Sequence, residues 1–493
     1  MTPATRTDQV CRLFIDGDWL ETAPGGYGTS LDPATGQPLA RYAQAGPADV
    51  DAAVAAARAA LTAPAWALMT AAARARLLWR VADLIDEHAD TLAELETRDQ
   101  GQPLRAARGC VAAAAEHLRY FAGWCTRIEG STVPVSYPDT LHYTRREPVG
   151  VCALIVPWNF PLLIAVWKLA PALACGNAVV LKPAEQTPLT AAYLVELCRQ
   201  AGVPAGVVNL VTGGPDTGRD LVAHPGVDKV SFTGSTAVGR EIGRVCGEQL
   251  KRVTLELGGK APVIIAGDAD LDAAAAGCLS GGLVNSGQSC TAYTRLYVQR
   301  TRADEFAEKL ATMAGKVRVG PGLAPDSQLG PLISAQQLRR VDDLVRTGTA
   351  EGAHLVTGGG RITAGPLAAG FFYQPTVFSG VADEMTIART EIFGPVLCVL
   401  PYDDPAELVD RANDSDYGLS AAVWTRDLTT AHRLAGAIRA GAVFVNMPPQ
   451  PDPAGPWGGV KASGVGREMG AAAIEAYTEI KGVWLHTPAA DHP

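Results

Sequence analysis

Two short segments of this chain hold the side chains best suited to covalent chemistry. Cys290 closes NSGQSC (Asn285–Cys290), a small, polar, glycine-containing stretch, and Glu256 stands in LELGGK (Leu255–Lys260) a short way before it. The thiolate and not the thiol attacks carbon, so such a cysteine needs a nearby base, and a carboxylate can serve as one. Two further motifs accompany them: PWNFP (Pro157–Pro161), with Asn159, and EIFGP (Glu391–Pro395), with Glu391 and Phe393. Each residue taken alone has a plainer reading. A single cysteine is usually a small buried hydrophobe, a glutamate or lysine at a strand end is usually solvated, and asparagine is common in turns.

The elements that must position these residues read as alternating strands and helices. Val149–Val156 (VGVCALIV) is a buried-strand run stopped by Pro157, Leu162–Ala174 is an apolar helix closed by Gly176, and Ala178–Leu181 is a short strand ending at Lys182. Thr187 before Pro188 reads as a helix N-cap with proline at the first helical position, opening a helix to about Ala201. Val207–Val211, Lys229–Phe232 and Arg252–Glu256 read as three more strands. Gly213–Gly214 follows the first of these; Thr233–Gly234–Ser235 and a helix to about Gly247 follow the second. Strands separated by helices imply right-handed crossovers and a parallel sheet, hence a doubly wound α/β unit. Ligands of such sheets sit beyond the carboxyl ends of the strands, and Lys182, Gly213–Gly214, Gly234–Ser235 and Glu256 all fall there. A second series starts after Gly259: Pro262–Ala266, a helix near Leu271–Leu283, Thr294–Gln299, a helix from Arg302, then Val396–Leu400, Leu419–Trp424 and Val443–Asn446.

In order and spacing, these motifs resemble the hydrolytic branch of the NAD(P)-dependent aldehyde dehydrogenase superfamily over nearly the whole chain. The resemblance implies a Rossmann-type cofactor domain (1–127 and 148–258), a second α/β catalytic domain (259–470) and a small oligomerisation arm (128–147 and 471–493). In that arm Ser131–Glu147 would leave the first domain as a hairpin and join the C-terminal tail. It also implies the chemistry. Cys290 attacks the aldehyde carbon to give a thiohemiacetal, hydride leaves for the nicotinamide, and water resolves the resulting thioester. Glu256 takes the proton of Cys290 or of that water, while the Asn159 amide and the Cys290 backbone N–H hold the developing oxyanion.

For the cofactor, the resemblance implies that Lys182 reaches the adenosine ribose and that Glu185 accepts a hydroxyl of the same sugar. A carboxylate there repels a 2′-phosphate, which favours NAD over NADP. Phe232, Gly234 and Ser235 lead into a helix N-terminus suited to the pyrophosphate; no GxGxxG stands at the first βα turn, a departure the aldehyde dehydrogenases share. Glu391 and Phe393 match residues that hold the nicotinamide ribose and flank its ring. Trp158 and Val238 match the adenine and pyrophosphate region, and Val156, Gly214 and Leu257 complete the expected NAD-binding set.

Pocket walls are expected from Phe160 and Trp167, from Val284 and Ser289, and from Trp457 behind the proline-rich loop Met447–Ala454 (MPPQPDPA). Phe160, Trp167 and Trp457 partly resemble the aromatic box of betaine-aldehyde and aminoaldehyde dehydrogenases, where ring faces hold a cation. Val284, where that branch often has another aromatic, favours a medium-sized hydrophobic or aromatic aldehyde instead. Two other readings are a CoA-acylating relative, disfavoured by the presence of Glu256, and a non-catalytic binding protein on the same fold, disfavoured because Cys290, Asn159 and Glu256 all stand.

Length and composition bound these expectations. At 493 residues the chain should form two or three domains. A net charge of −9 argues against a nucleic-acid partner. Ten cysteines without CxxC spacing suit reduced thiols in a cytoplasm, and the few scattered histidines outline no metal site. MTPATRTDQVCRLFIDGDWL lacks the apolar run of a secretory signal, and no stretch is long and apolar enough to span a membrane. The expected partners are a small-molecule aldehyde and further copies of the chain, as a dimer or tetramer.

Overall fold

A computed structural model describes residues 10–21 and 26–487. The first nine residues of the segment read as free of a secretory signal, residues 22–25 of the expected cofactor domain and residues 488–493 of the expected arm lie outside it.

Five parallel strands form the heart of an eight-stranded sheet, in the spatial order Arg252–Glu256, Lys229–Thr233, Val151–Ile155, Ala178–Lys182 and Val208–Leu210. Gly464–Val465 adds to one edge antiparallel. Leu13–Ile15 and then Asp18–Leu20 extend the other. Every residue of Val151–Ile155 and Ala178–Lys182 is buried, as expected for parallel strands covered by helices on both faces. Chain order reverses at Val151–Ile155, because its sequence successor Ala178–Lys182 lies on one side and Lys229–Thr233 on the other. That reversal opens a crevice at the carboxyl ends of the strands, between the loops that follow Ile155 and Thr233.

The helix Pro161–Ala174 (PLLIAVWKLAPALA) is apolar almost all round, and it is correspondingly buried on nearly every side, packed against Leu104–Trp124. Two details differ from the sequence reading. Thr187 does not cap the next helix, which runs Leu189–Gln200; its first N–H is taken instead by the Asp99 carboxylate, 3.0 Å away, and the Thr187 hydroxyl has no hydrogen-bond partner among the described residues. A tertiary acceptor has displaced the local cap. A further helix, Pro215–Ala223, fills the stretch between Gly214 and Lys229. Proline in its first turn, just after Gly214, is a helix-start signal that its Asp-Thr-Gly continuation disguises as a loop.

The second sheet has seven strands in the order His354–Thr357, Thr376–Ser379, Val396–Tyr402, Tyr293–Gln299, Ala261–Ile265, Ser420–Trp424 and Ala442–Val445, all parallel except the first. Two of these strands, His354–Thr357 and Thr376–Ser379, and the helix Ala335–Ala350 were not read from the sequence. Apart from the two sheets, Thr140–Pro148 pairs antiparallel with Thr478–His486 over nine positions. The segment before it folds back on this ribbon: Thr132 bridges antiparallel to Tyr143, the Val133 N–H donates to the His142 carbonyl at 3.0 Å and the Thr144 N–H to the Ser131 carbonyl at 2.8 Å. The doubly wound α/β class read from the sequence is the class found.

Candidate active site

The catalytic candidates come from three loops that meet where the two sheets face each other. Leu283 ends the helix Leu271–Leu283, and the chain then passes through three consecutive left-handed residues, Asn285 (φ 49°), Ser286 (φ 60°) and Gly287 (φ 74°). Two non-glycine residues in this region each cost on the order of 1–3 kcal/mol, so the surroundings must hold them. They do. The Asn285 side-chain amide donates to the Asn159 carbonyl at 2.7 Å, the Ser286 hydroxyl to the Gly330 carbonyl at 2.8 Å, and Gln288 accepts from the Ile333 N–H at 2.8 Å. Gly287 lies so close to Gly394 that a Cβ would come 2.0 Å from its carbonyl oxygen. The cysteine loop is thus locked both to PWNFP and to EIFGP.

Cys290 follows, half-buried, three residues before the strand Tyr293–Gln299. Its carbonyl presses on Gly259, where a Cβ would come within 2.1 Å, so LELGGK passes the cysteine only because glycine stands there. Burial pushes the Cys290 thiol well above its ordinary range, with the negative charges of Glu391 and Glu256 adding to the effect. Asn159 is buried; its Nδ2 donates to the Gln288 carbonyl at 3.1 Å, which leaves its second amide hydrogen available. Ser289 is buried, its hydroxyl 3.0 Å from that of Thr291.

Glu256 ends its strand fully buried, and neither carboxyl oxygen has a hydrogen-bond partner among the described residues. Burial raises its pKa well above the carboxylate range, and the neighbouring Glu468 raises it further, partly opposed by Lys168 and Arg467. A carboxylate of raised pKa is the stronger base, better matched to a thiol whose own pKa is raised. Lys168 and Glu468 form a wholly buried ion pair, and the Ser231 hydroxyl donates to Glu468 at 2.7 Å. Neither residue figured in the sequence reading. Lys168 carried a signal, being the one charge in an otherwise apolar helix, where an ammonium must find a partner. Glu468 carried none.

Around the switch crevice, Val156 is buried, and its N–H donates to the Lys182 carbonyl at 3.1 Å. Lys182 is buried with its ammonium on the carbonyls of Gly213 (2.8 Å) and Pro183 (3.2 Å); burial lowers its pKa to about 8, the nearby Glu185 opposing the shift. Glu185 is half-buried beside it. Gly214 caps Pro215–Ala223 and has open space where a side chain would be. Ser235 caps Thr236–Glu248, its hydroxyl accepting from the N–H of Val238, whose side chain is exposed. The buried Phe232 ring covers Gly234, where a Cβ would meet it at 2.4 Å, and Leu257 fills the space over Gly239 in the same way at 2.3 Å.

From the second sheet, Glu391 accepts from the Gly259 N–H at 2.9 Å, and burial lifts its pKa to about 7 against the pull of that N–H and of Lys260 and Arg340. Phe393 is left-handed (φ 59°) and meets the half-buried Trp158 edge-on, the rings 5.2 Å apart. Lys260, also missed, is buried with no hydrogen-bond partner among the described residues. It lines a cavity of about 10 Å³, room for one water, together with the equally unpartnered Ser420.

The expected pocket residues fall into two groups. Trp167 and Trp457 are 9% and 5% exposed and pack edge-on, ring centres 6.2 Å apart. Phe160 is half-buried and Val284 is 39% exposed. Pro449 of the proline-rich loop lies against Gly281, three residues before Val284, and the Tyr293 hydroxyl donates to the Met447 carbonyl at 3.0 Å. The loop is therefore fastened beside the expected pocket wall.

A thiol, a buried carboxyl and a side-chain amide thus converge beside a crevice at a topological switch. Comparison with known proteins agrees with that chemistry. The family model of the aldehyde dehydrogenase family matches residues 19–483. Phenylacetaldehyde dehydrogenase of Pseudomonas fluorescens is 47% identical over 475 residues, 95% of this chain and 94% of that protein. The NAD+ complex of an aldehyde dehydrogenase from Bacillus cereus superposes with a TM-score of 0.95 at 46% identity, covering 97% of each chain. Betaine aldehyde dehydrogenase of Staphylococcus aureus, solved in complex with NAD+, also reaches 0.95, at 36% identity over 97% of this chain and 95% of that one. The chain belongs to the aldehyde dehydrogenase family.

Proposed function

We propose that this protein oxidises a medium-sized hydrophobic or aromatic aldehyde to its carboxylate with NAD and water. The Cys290 sulfur bonds to the carbonyl carbon as its proton passes to Glu256. The resulting oxyanion accepts hydrogen bonds from the free Asn159 amide hydrogen and from the Cys290 backbone N–H. The chemistry NAD supplies when bound is acceptance of the hydride from that carbon. After passing that proton to solvent, Glu256 deprotonates the water that attacks the Cys290 thioester; the carbon–sulfur bond breaks, the acid leaves, and the sulfur takes the proton back from Glu256 to restore the thiol.

The residues present fit the dinucleotide. Lys182 and Glu185 stand at the strand ends for the adenosine ribose. The Ser235-capped helix offers its N-terminal amides for the pyrophosphate. Glu391, braced by the Gly259 N–H, stands for the nicotinamide ribose, with Phe393 and Trp158 beside the ring. Exposed Ile480, Trp484, Leu485 and Leu141 on the Thr140–Pro148 and Thr478–His486 ribbon support association of copies, to be read from the mass in solution by light scattering.

The observation that carries the substrate class is the burial of Trp167 and Trp457 against each other, with the aliphatic Val284 exposed on the expected pocket wall. Cation–π binding needs open ring faces around the charged head, and this arrangement leaves little of either tryptophan free. The identity to the phenylacetaldehyde dehydrogenase, higher than that to the betaine aldehyde dehydrogenase, supports the same order. The test is kcat/KM with NAD for phenylacetaldehyde, hexanal, benzaldehyde, 4-aminobutanal and betaine aldehyde, with and without CoA. Higher values for the uncharged aldehydes, unaffected by CoA, are expected. A lead for betaine aldehyde or 4-aminobutanal would sink the substrate class, and a requirement for CoA would sink the hydrolytic route.

A further inference from the structure

Behind the pocket wall lies a residue outside the motifs considered above. His117, on the helix Leu104–Trp124, is 2% exposed and stacks on Trp167, ring centres 5.6 Å apart and planes 29° from parallel. Its Nδ1 lies 2.6 Å from the Ala113 carbonyl oxygen. A carbonyl only accepts, so Nδ1 carries the proton, and in the neutral ring Nε2 is left as an acceptor. Burial favours that neutral ring by lowering the His117 pKa, although Asp452 and Glu116 oppose the shift. Nε2 has no hydrogen-bond partner among the described residues, and neither has the indole N–H of Trp167.

Two stacked rings therefore carry one orphan acceptor and one orphan donor. A buried polar atom without a partner costs on the order of 1–3 kcal/mol, and two on adjoining side chains point to a partner that arrives from outside the protein. The group that serves both is a hydroxyl, which accepts from the indole and donates to the imidazole. An ammonium cannot accept from the indole, and a plain hydrocarbon serves neither. Trp167 stands on the helix that follows the PWNFP loop, less than two turns after Pro161, so the stacked pair lies beside the segment that carries Asn159.

We infer that His117 and the Trp167 indole form a recognition site for a hydroxyl on the tail of the substrate, so that the preferred aldehydes are hydroxyaryl or similarly hydroxylated ones. This rests on the aromatic-aldehyde reading above and narrows it.

The test compares kcat/KM for 4-hydroxyphenylacetaldehyde and phenylacetaldehyde in the wild-type enzyme, in His117→Phe and in His117→Gln. The phenylalanine keeps a stacking ring without the acceptor; glutamine keeps an acceptor. The wild-type ratio should favour the hydroxylated aldehyde by about 10-fold, as one or two uncharged hydrogen bonds imply. It should fall to about 1 in His117→Phe, carried by KM more than by kcat, and recover in part in His117→Gln. A wild-type ratio near 1 with good turnover of both aldehydes overturns the hydroxyl site alone. Turnover of neither overturns the aromatic reading as well. If His117→Phe folds poorly, the wild-type ratio still decides, and a preserved 10-fold ratio in a well-folded His117→Phe removes His117 from the site.

Discussion

The two sheets contribute to the site from opposite ends. The eight-stranded sheet presents the carboxyl ends of its strands, bearing Val156 to Asn159, Lys182, Gly214, Gly234–Ser235 and Glu256. The seven-stranded sheet presents the loops before its strands: Gly258–Lys260 before Ala261, Asn285–Ala292 before Tyr293 and Glu391–Pro395 before Val396. Carboxyl ends lead into helix N-termini, whose free N–H groups suit an anionic cofactor. The opposing loops lead out of left-handed turns and glycine contacts, which hold the Cys290 loop close against its neighbours. Under the proposed function, a binding surface and a reacting centre come from different geometries, and Glu256 is the residue of the first sheet that crosses to the second task.

The strongest way to break that division is Cys290→Ala. Activity should fall by more than about 10³-fold, as loss of a covalent nucleophile does, while NAD affinity by calorimetry stays within a few-fold. A parallel collapse of NAD binding would mean that the two sheets do not divide the work.

Glu256→Gln tests the residue that crosses over. Water activation should suffer more than thiol attack, so stopped-flow traces should begin with a burst of NADH and settle to a steady state slower by about 10²-fold or more, the scale of lost general-base catalysis. The pH dependence sharpens this. The base form of Glu256 exists above its raised pKa, so wild-type kcat should climb with pH and fall as pH drops through that value, and the glutamine variant should lose the limb. Equal slowing of burst and steady state would reassign the carboxyl.

The smallest effect is expected at the edge of the first sheet. Glu185→Gln removes the charge set against a 2′-phosphate, and the NAD over NADP ratio of kcat/KM should drop by about 10-fold, on the scale of one charge–charge contact in a partly solvated site. An unchanged ratio would mean that Glu185 faces away from the ribose.

Much of this was legible in the chain. Apolar runs of four to eight residues ending at Pro157, Lys182 and Glu256 are strands because buried parallel strands need no polar face, and glycine-bearing motifs marked the loops between them. What escaped was tertiary. Thr187 had every local qualification for a cap and lost to Asp99, nearly ninety positions earlier. His117 reads as one more position in an alanine-rich helix until Trp167 lies across it.

The partner that Lys168 needs lies 300 residues further on. Until residue 468 is made, therefore, Lys168 has the Ser231 hydroxyl at 3.2 Å but no anion, and burying an ammonium without its anionic partner costs several kcal/mol. The last segment supplies Glu468, lays Gly464–Val465 along the sheet edge and pairs Thr478–His486 with Thr140–Pro148. The surroundings of Glu256 are thus completed only after residues 464–486 are made. A chain cut before Gly464 would keep the five parallel strands and lack both the Glu468 carboxylate and the strand that pairs with Thr140–Pro148, leaving the surroundings of Glu256 unfinished.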